Sequence, residues 1–313
     1  MELTGLHHVT AVTRQAAANV EFYTQALGMR LVKKTVNQDD VSAYHLFYGD
    51  AAGNAGTEMT FFDWAHSTSN RNGGGAISAT AFRVADTEAL SWWAARFDSL
   101  TIAHGEIADV AGRATLRFAD PEGQVLSLVA DGGAPGGTPW DKSTVPAAQS
   151  IKGLDAVTLT VRELAPTASV LTQVLGFHRT REYAAADGQT VVFETGAGGP
   201  GTEVHVAARP DLPAVRPGAG GVHHVAFRTP NGDEQQAWHE KIVQAGLHAS
   251  GLIDRFYFQS VYFREPGGIL FEIATDGPGF ATDEDAAHLG ERLSLPPFLE
   301  PRRAQIEAGL RPL

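Results

Sequence analysis

Four segments of this 313-residue chain repeat one another in order, and a repeat of that length admits only a few architectures. The first opens with Gly5-Leu6-His7-His8-Val9-Thr10 and the third with Gly153-Leu154-Asp155-Ala156-Val157-Thr158. The second opens with Ala76-Ile77-Ser78-Ala79-Thr80-Ala81, the fourth with Gly221-Val222-His223-His224-Val225-Ala226. Each opening alternates like a half-buried strand. A helical stretch follows: Asn19–Gly28 matches Ala168–Gly176, with apolar residues at helical spacing and a glycine stop. The other two helices are expected near Glu88–Phe97 and Glu234–Ala245. Strand candidates close each unit. Asp120–Leu128 aligns without a gap on Glu265–Ile273, and Gly56–Phe61 aligns on Gly201–Val206. The expected unit is therefore strand, helix, then about three strands.

The units are placed at 1–65, 74–131, 151–208 and 220–277, with a Gly/Pro-rich linker at 132–150 between the halves. The tail, 278–313, lies outside the repeat. Within it Leu299–Leu310 is expected to dock on the core as a helix, with a lid or a dimer contact as the other readings.

Composition narrows the chemistry. The chain has no cysteine, so disulfides, thiolate nucleophiles and sulfur-based zinc sites are excluded, and any metal must be held by nitrogen and oxygen. Twenty-four basic against 36 acidic side chains give a net charge of −12, which disfavours nucleic acid and anionic membrane surfaces as partners. No apolar run reaches the roughly 18 residues of a membrane span, and the start does not read as a signal peptide. A cytoplasmic location is expected.

Function is sought where the repeat is broken. The second residue of each histidine pair aligns as His8, Ala79, Ala156 and His224, and in the final strands Thr60, Ser127, His205 and Glu272 align. Alternation places His8 and His224 on the face away from the helices. It puts Phe271 and Ile273 on the helix side, which leaves Glu272 facing inward. Two histidines and one carboxylate form the facial ligand pattern of non-haem Fe(II) oxygenases, and zinc accepts the same ligand types. Strict alternation turns His7 and His223 to the helix side. His205 has no partner ligand at Ala156, so a structural or surface role is expected. His45, His66, His104 and His239 follow no repeat logic and are expected to face solvent.

At these residues the chain resembles the vicinal oxygen chelate superfamily, which includes glyoxalase I, bleomycin-resistance proteins and extradiol dioxygenases. Within it, the similarity is to the hydroquinone 1,2-dioxygenase branch. Gly5–Thr10, Gly221–His224 and Ser260–Glu265 with Phe271-Glu272 carry the resemblance most specifically. It implies an α+β fold of four βαβββ modules paired into two incomplete barrels, the first with the fourth and the second with the third. It implies that His8, His224 and Glu272 ligate Fe(II), with Mn(II) accepted by the same set. It further implies that His7, Thr10, His223, Arg255 and Tyr262 surround the metal and serve binding or proton transfer. The glyoxalase I pattern wants a carboxylate where Thr60 stands.

The expected activity is insertion of both atoms of O2 into a 1,4-dihydroxybenzene. The expected partners are a small aromatic substrate and O2, with a homo-oligomer left open. A catechol extradiol dioxygenase, a non-oxidative metal-dependent lyase or isomerase, and an aromatic-binding protein are the rival readings.

Overall fold

The computed structural model describes residues 1–185 and 188–313. The first unit runs β1 (Leu6–Thr13), α1 (Ala16–Glu21), β2 (Arg30–Asn37), β3 (Asp40–Gly49) and β4 (Glu58–Asp63). The second has β5 (Ala76–Val84), α2 (Thr87–Ser99), β6 (Ala108–Val110), β7 (Arg113–Ala119) and β8 (Val125–Ala130). The third has β9 (Leu154–Val161), α3 (Leu164–Ser169), β10 (His178–Ala185), β11 (Gly188–Glu194) and β12 (Glu203–Ala208). The fourth has β13 (Val222–Thr229), α4 (Gly232–Gln244), β14 (Ile253–Asp254), β15 (Gln259–Arg264) and β16 (Leu270–Thr275).

The two longest helices, α2 and α4, start where polar side chains can take up free backbone N–H groups. Asp86 accepts from the Ala89 N–H at the head of α2, and Asn231 accepts from the Glu234 N–H at the head of α4. The helices α1 and α3 begin earlier than their apolar spacing suggests. Each runs on into one π-helical turn, Phe22–Ala26 and Val170–Val174. The wider turn brings neighbours to one side, so Phe22 with Tyr23, and Val170 with Leu171, are buried together.

In every unit the opening strand runs parallel to the closing one: β1 beside β4, β5 beside β8, β9 beside β12 and β13 beside β16. The opening strands then pair antiparallel, β1 with β13 and β5 with β9. Two curled eight-stranded sheets result, one from the first and fourth units and one from the second and third. The pairing that the resemblance implies is the one observed. The convex faces meet the helices in one continuous core that includes Tyr23, Phe61, Phe82, Trp93, Val157, Phe227 and Phe271.

Where the two sheets meet, backbone bonds are exchanged reciprocally. The Leu6 N–H donates to Gly201 O, and the Leu154 N–H donates to Gly56 O. Gly5 and Gly153 precede these donors with φ of +121° and +130°. A Cβ on either would lie 2.7 Å from the facing carbonyl oxygen, of Gly201 and Gly56 respectively. Backbone cannot yield there as a side chain could.

The tail returns to the first sheet. Its short helix α5 (Arg303–Gly309) packs Ile306 with Leu295 and Leu299 against Val36, and the Ser294 N–H donates to Lys34 O. Upstream, Asp283 accepts from the buried Lys33 ammonium at 2.7 Å, and Glu284 is its second carboxylate partner. A fully buried ammonium requires such partners. No helix among the described residues is long and apolar enough to cross a membrane. Gly153→Ala should lower the unfolding free energy by about 1–3 kcal/mol through strain and backbone overlap. Urea denaturation of the variant measures it; an unchanged midpoint contradicts this account of the junction.

Candidate metal centre

The site is built from strands β16, β13 and β1 lying side by side. Ala226 sits beside Glu272 on one flank and opposite His8 on the other, while Thr10 lies opposite His224. His8, His224 and Glu272 therefore share the concave face, as the alternation required. His8 Nε2 lies 3.3 Å from His224 Nε2, and Glu272 Oε2 lies 3.2 Å from the first and 3.0 Å from the second. All three residues are buried.

Regular alternation fails at His7 and His223. The register of β1 against β13 slips between Leu6 and His8 and again opposite Thr10 and Ala11, so His7 and His223 are each an extra residue in a β-bulge. A bulge breaks the two-residue period and re-aims the side chain. Instead of turning to the helix side, both rings lie against the neighbouring histidine. His7 Nδ1 is 2.9 Å from His8 Nδ1, and His223 Nδ1 is 2.8 Å from His224 Nδ1. The second sheet slips at the equivalent residues, Ser78 and Asp155. The bulge belongs to the repeat, and only the first and fourth units place histidine on it.

These contacts assign protons. His7 Nε2 is 3.1 Å from the carbonyl oxygen of Thr275, which can only accept, so His7 carries its proton on Nε2. Burial holds the His7 pKa down at about 3, so the ring is neutral and its Nδ1 has a lone pair. The His8 Nδ1–H must then donate to it, leaving Nε2 as the nitrogen that faces Glu272. Burial likewise lowers His223 to about 3 and draws His224 down. Each inward-facing histidine thus rests its outer nitrogen on a neutral partner ring, as metal-ligating histidines do.

Glu272 completes the set. The Ser260 hydroxyl donates to its Oε1 at 2.5 Å, whereas its Oε2 is buried without a hydrogen bond. Burial alone would raise the carboxyl pKa, but His8 and His224 outweigh that and hold it well below its usual range. A metal about 2.1 Å from three donors at right angles needs them about 3.0 Å apart. The observed edges of 3.0–3.3 Å and the orphaned Oε2 fit that requirement. His7, His8 and Glu58 form a second compact group. There His8 would have to offer Nδ1, which His7 already occupies, and burial pushes Glu58 well above the carboxylate range. The first group is the better cation site.

The centre opens on a cavity of about 40 Å³. Phe47, Phe62 and Phe258 line it, with Arg255 and Tyr262 at one side. Phe258 faces His8 at 5.2 Å between ring centroids. The Arg255 guanidinium lies 5.5 Å from the Tyr262 ring and pairs with Asp39 at 2.9 Å. The Thr10 hydroxyl turns to Thr60 at 2.8 Å, and Thr60 also meets His45 Nε2 at 2.9 Å.

His45 corrects the expectation that it faces solvent. It lines the cavity between Phe47 and Phe62, 4.0 and 4.4 Å from their centroids, and burial holds its pKa well below normal. The signal was present in β3, where Leu46 and Tyr48 are buried in the helix-side core and His45 and Phe47 take the other face. His205 is buried in the second sheet, not at the surface, with Glu203 at 2.7 Å and the Tyr183 hydroxyl at 3.0 Å. Among the remaining histidines, His66 is exposed while His104 and His239 are half-buried, and none lines the metal-site cavity. The sequence assigns no role to Ser260, Phe258 or Asp39; their roles arise from strand neighbours and from a turn that no local pattern specifies.

Comparison with known proteins gives the fold and site a context. Residues 5–128 and 153–273 match the Glyoxalase/Bleomycin resistance protein/Dioxygenase superfamily. The chain is 48% identical over 315 residues, the full length of both proteins, to the Bacillus subtilis protein named "Putative ring-cleaving dioxygenase MhqA". It is 32% identical over 307 residues to the chlorohydroquinone/hydroquinone 1,2-dioxygenase of Sphingobium indicum, covering 95% of this chain and 92% of that one. The crystal structure of a "putative dioxygenase" from Bacillus subtilis superposes with a TM-score of 0.92 at 36% identity, covering 100% of this chain and 98% of that one. The chain belongs to the glyoxalase/bleomycin resistance/dioxygenase superfamily, among its ring-cleaving dioxygenases.

Proposed function

We propose that the protein is an Fe(II)-dependent dioxygenase that opens a hydroquinone-type ring, with His8, His224 and Glu272 as the iron ligands. The observation that carries this reading is the buried triangle of two imidazole nitrogens and one unpaired carboxylate oxygen, open on one side to an aromatic-lined cavity. Mn(II) satisfies the same donors. Thr60 occupies the place of a fourth carboxylate ligand and is engaged by Thr10 and His45, which favours three protein ligands over the glyoxalase set. The relative from Sphingobium carries hydroquinone in its name, which supports the same substrate class here.

The bound ion supplies a point where a ring hydroxyl and O2 are brought together and where that hydroxyl loses its proton more readily. The chain does the rest. Phe47, Phe62 and Phe258 present apolar surface to a planar ring and exclude water. Burial raises the Tyr262 pKa, so its hydroxyl remains a donor to an oxygen of the substrate or of the opening ring. Arg255 beside it supplies a fixed positive charge for the acid that ring opening produces. His7, Thr10 and His223 act through their neighbours: His7 and His223 fix the ring nitrogens of the two ligands, and Thr10 lies opposite His224 on the adjoining strand.

The cavity is smaller than the roughly 150 Å³ space that admits benzene. Substrate must therefore displace side chains at the mouth. The Arg255–Asp39 pair is placed for that movement, since Gln38 and Asp39 belong to the exposed turn between β2 and β3.

Protein reconstituted anaerobically with Fe(II) and then given O2 should consume about one O2 per hydroquinone converted. Catechol and a glutathione hemithioacetal should turn over more slowly or not at all. Hydroquinone turnover without O2 uptake would falsify the oxidative reading, and faster catechol turnover would transfer it to the catechol enzymes. Glu272→Ala should abolish stoichiometric iron in dialysed protein, read by elemental analysis. Ser260→Ala should weaken iron binding by about 10–100-fold, because Oε1 loses the donor that orients it. Unchanged iron content in Glu272→Ala would remove these residues as ligands.

A further inference from the structure

The second sheet forms a cup of its own, and its concave face is not filled. The ligand positions there carry Ala79 and Ala156, which with Ala81 make a small apolar floor. A cavity of about 240 Å³ lies over that floor. It adjoins a wider opening between the β6–β7 and β10–β11 hairpins. No residue of the tail lines either space, whereas the tail packs on the edge strand and floor of the first cup.

A buried charged network surrounds this cavity. Arg113 donates to Asp155 Oδ1 at 2.7 Å and to Glu203 Oε2 at 2.8 Å. Glu203 also accepts from Arg181 and from His205, and these partners overcome its burial and hold its pKa at about 2. The His205 Nε2–H faces that ionised carboxylate, so its Nδ1 accepts the Tyr183 hydroxyl. Two atoms remain unserved. Arg113 Nε and Asp155 Oδ2 are buried and have no hydrogen-bond partner. Asp155 is the bulged residue of its unit, turned onto the cup by the register slip equivalent to the one that re-aims His7. One orphan needs an acceptor and the other a donor, and a hydroxyl group is both. Higher on the wall, Arg117 follows Arg113 and Thr115 along one face of β7. It is exposed and forms no ion pair among the described residues.

We propose that the second cup binds a small hydroxylated aromatic carboxylate. The ring lies over Ala79, Ala81 and Ala156, the hydroxyl turns to Arg113 and Asp155, and the carboxylate pairs with Arg117. A single guanidinium suits a monoanion, and the net charge of −12 repels polyanions from the same surface. This inference does not depend on the ring-cleavage reading. It needs only the cavity and its unpartnered polar groups.

Isothermal titration of the full-length protein with 4-hydroxybenzoate tests it. Saturable binding at or below roughly millimolar concentration is expected. Glu272→Ala should leave it unchanged. Arg117→Ala should weaken it by about tenfold or more, as should offering benzoate or hydroquinone, each of which lacks one end. Ala81→Phe, which fills the floor, should abolish it; a thermal melt checks that this variant folds, and the surface change Arg117→Ala carries the test if it does not. No saturable heat overturns the proposal. So does binding that Arg117→Ala leaves intact, or binding that is lost in Glu272→Ala, since either places the ligand outside the second cup.

Discussion

The antiparallel pairing of β1 with β13 is the constraint on which the rest depends. These strands are separated by most of the chain, yet both histidines of the candidate ligand set lie on them. Their register puts Thr10 opposite His224 and Ala226 opposite His8, so a shift of one residue would turn the histidines into the helix-side core. Register is defended by burial on both faces. On the helix side Leu6, Val9, Val225 and Phe227 are buried in the common core, and on the other side the rings pack against Phe258 and Tyr262.

The same pairing makes the bulges, and the bulges make the inner histidines competent. A neutral imidazole has one proton, and its place decides which nitrogen is free to bind. His7 fixes that place for His8 because its own proton is committed to the Thr275 carbonyl on β16. Strands β1 and β16, which flank β13, are thereby linked through hydrogen bonds before any ion is present. Glu272 then carries its charge in a buried site, and His8 and His224 stabilise it there. The geometry is preorganised: an arriving cation replaces an imperfect contact among the donors and does not have to gather them.

The architecture and the inward triad were legible in the sequence because both are periodic. Four repeats give four units, alternation gives the face, and the breaks at His8, His224 and Glu272 give the candidate site. Alternation fails where the period itself fails. His7 and His223 could not be placed from a two-residue rule, since an extra residue in a strand becomes visible only against its partner's register. His45 was missed for a different reason. Its strand alternates legibly, but it has no counterpart among the repeat-equivalent ligand positions, and repeat logic passes over a residue that one unit alone acquired. The β2–β3 turn is a loop within the first unit that no repeat motif marks, and the tail lies outside the repeat; they supply Asp39, Gln38 and the Lys33 carboxylates.

The two cups show what a duplicated scaffold allows. Both contain the bulge, the parallel closing strands and the concave face, so neither fold nor stability requires histidine at the bulged positions. The first cup carries histidines there and is narrowed by Phe258 and the tail around a carboxylate without a proton. The second carries Ser78 and Asp155, keeps alanines on its floor, and cancels Glu203 with two arginines and a histidine. A carboxylate compensated in that way has no free oxygen to offer a cation, whereas Glu272 keeps Oε2 unbonded between two nitrogens. What sets the first cup apart is thus that its unbonded carboxylate oxygen lies 3.0–3.2 Å from two imidazole nitrogens, whereas the unbonded Oδ2 of Asp155 belongs to a carboxylate already paired with Arg113; the shared fold determines only where each carboxylate points.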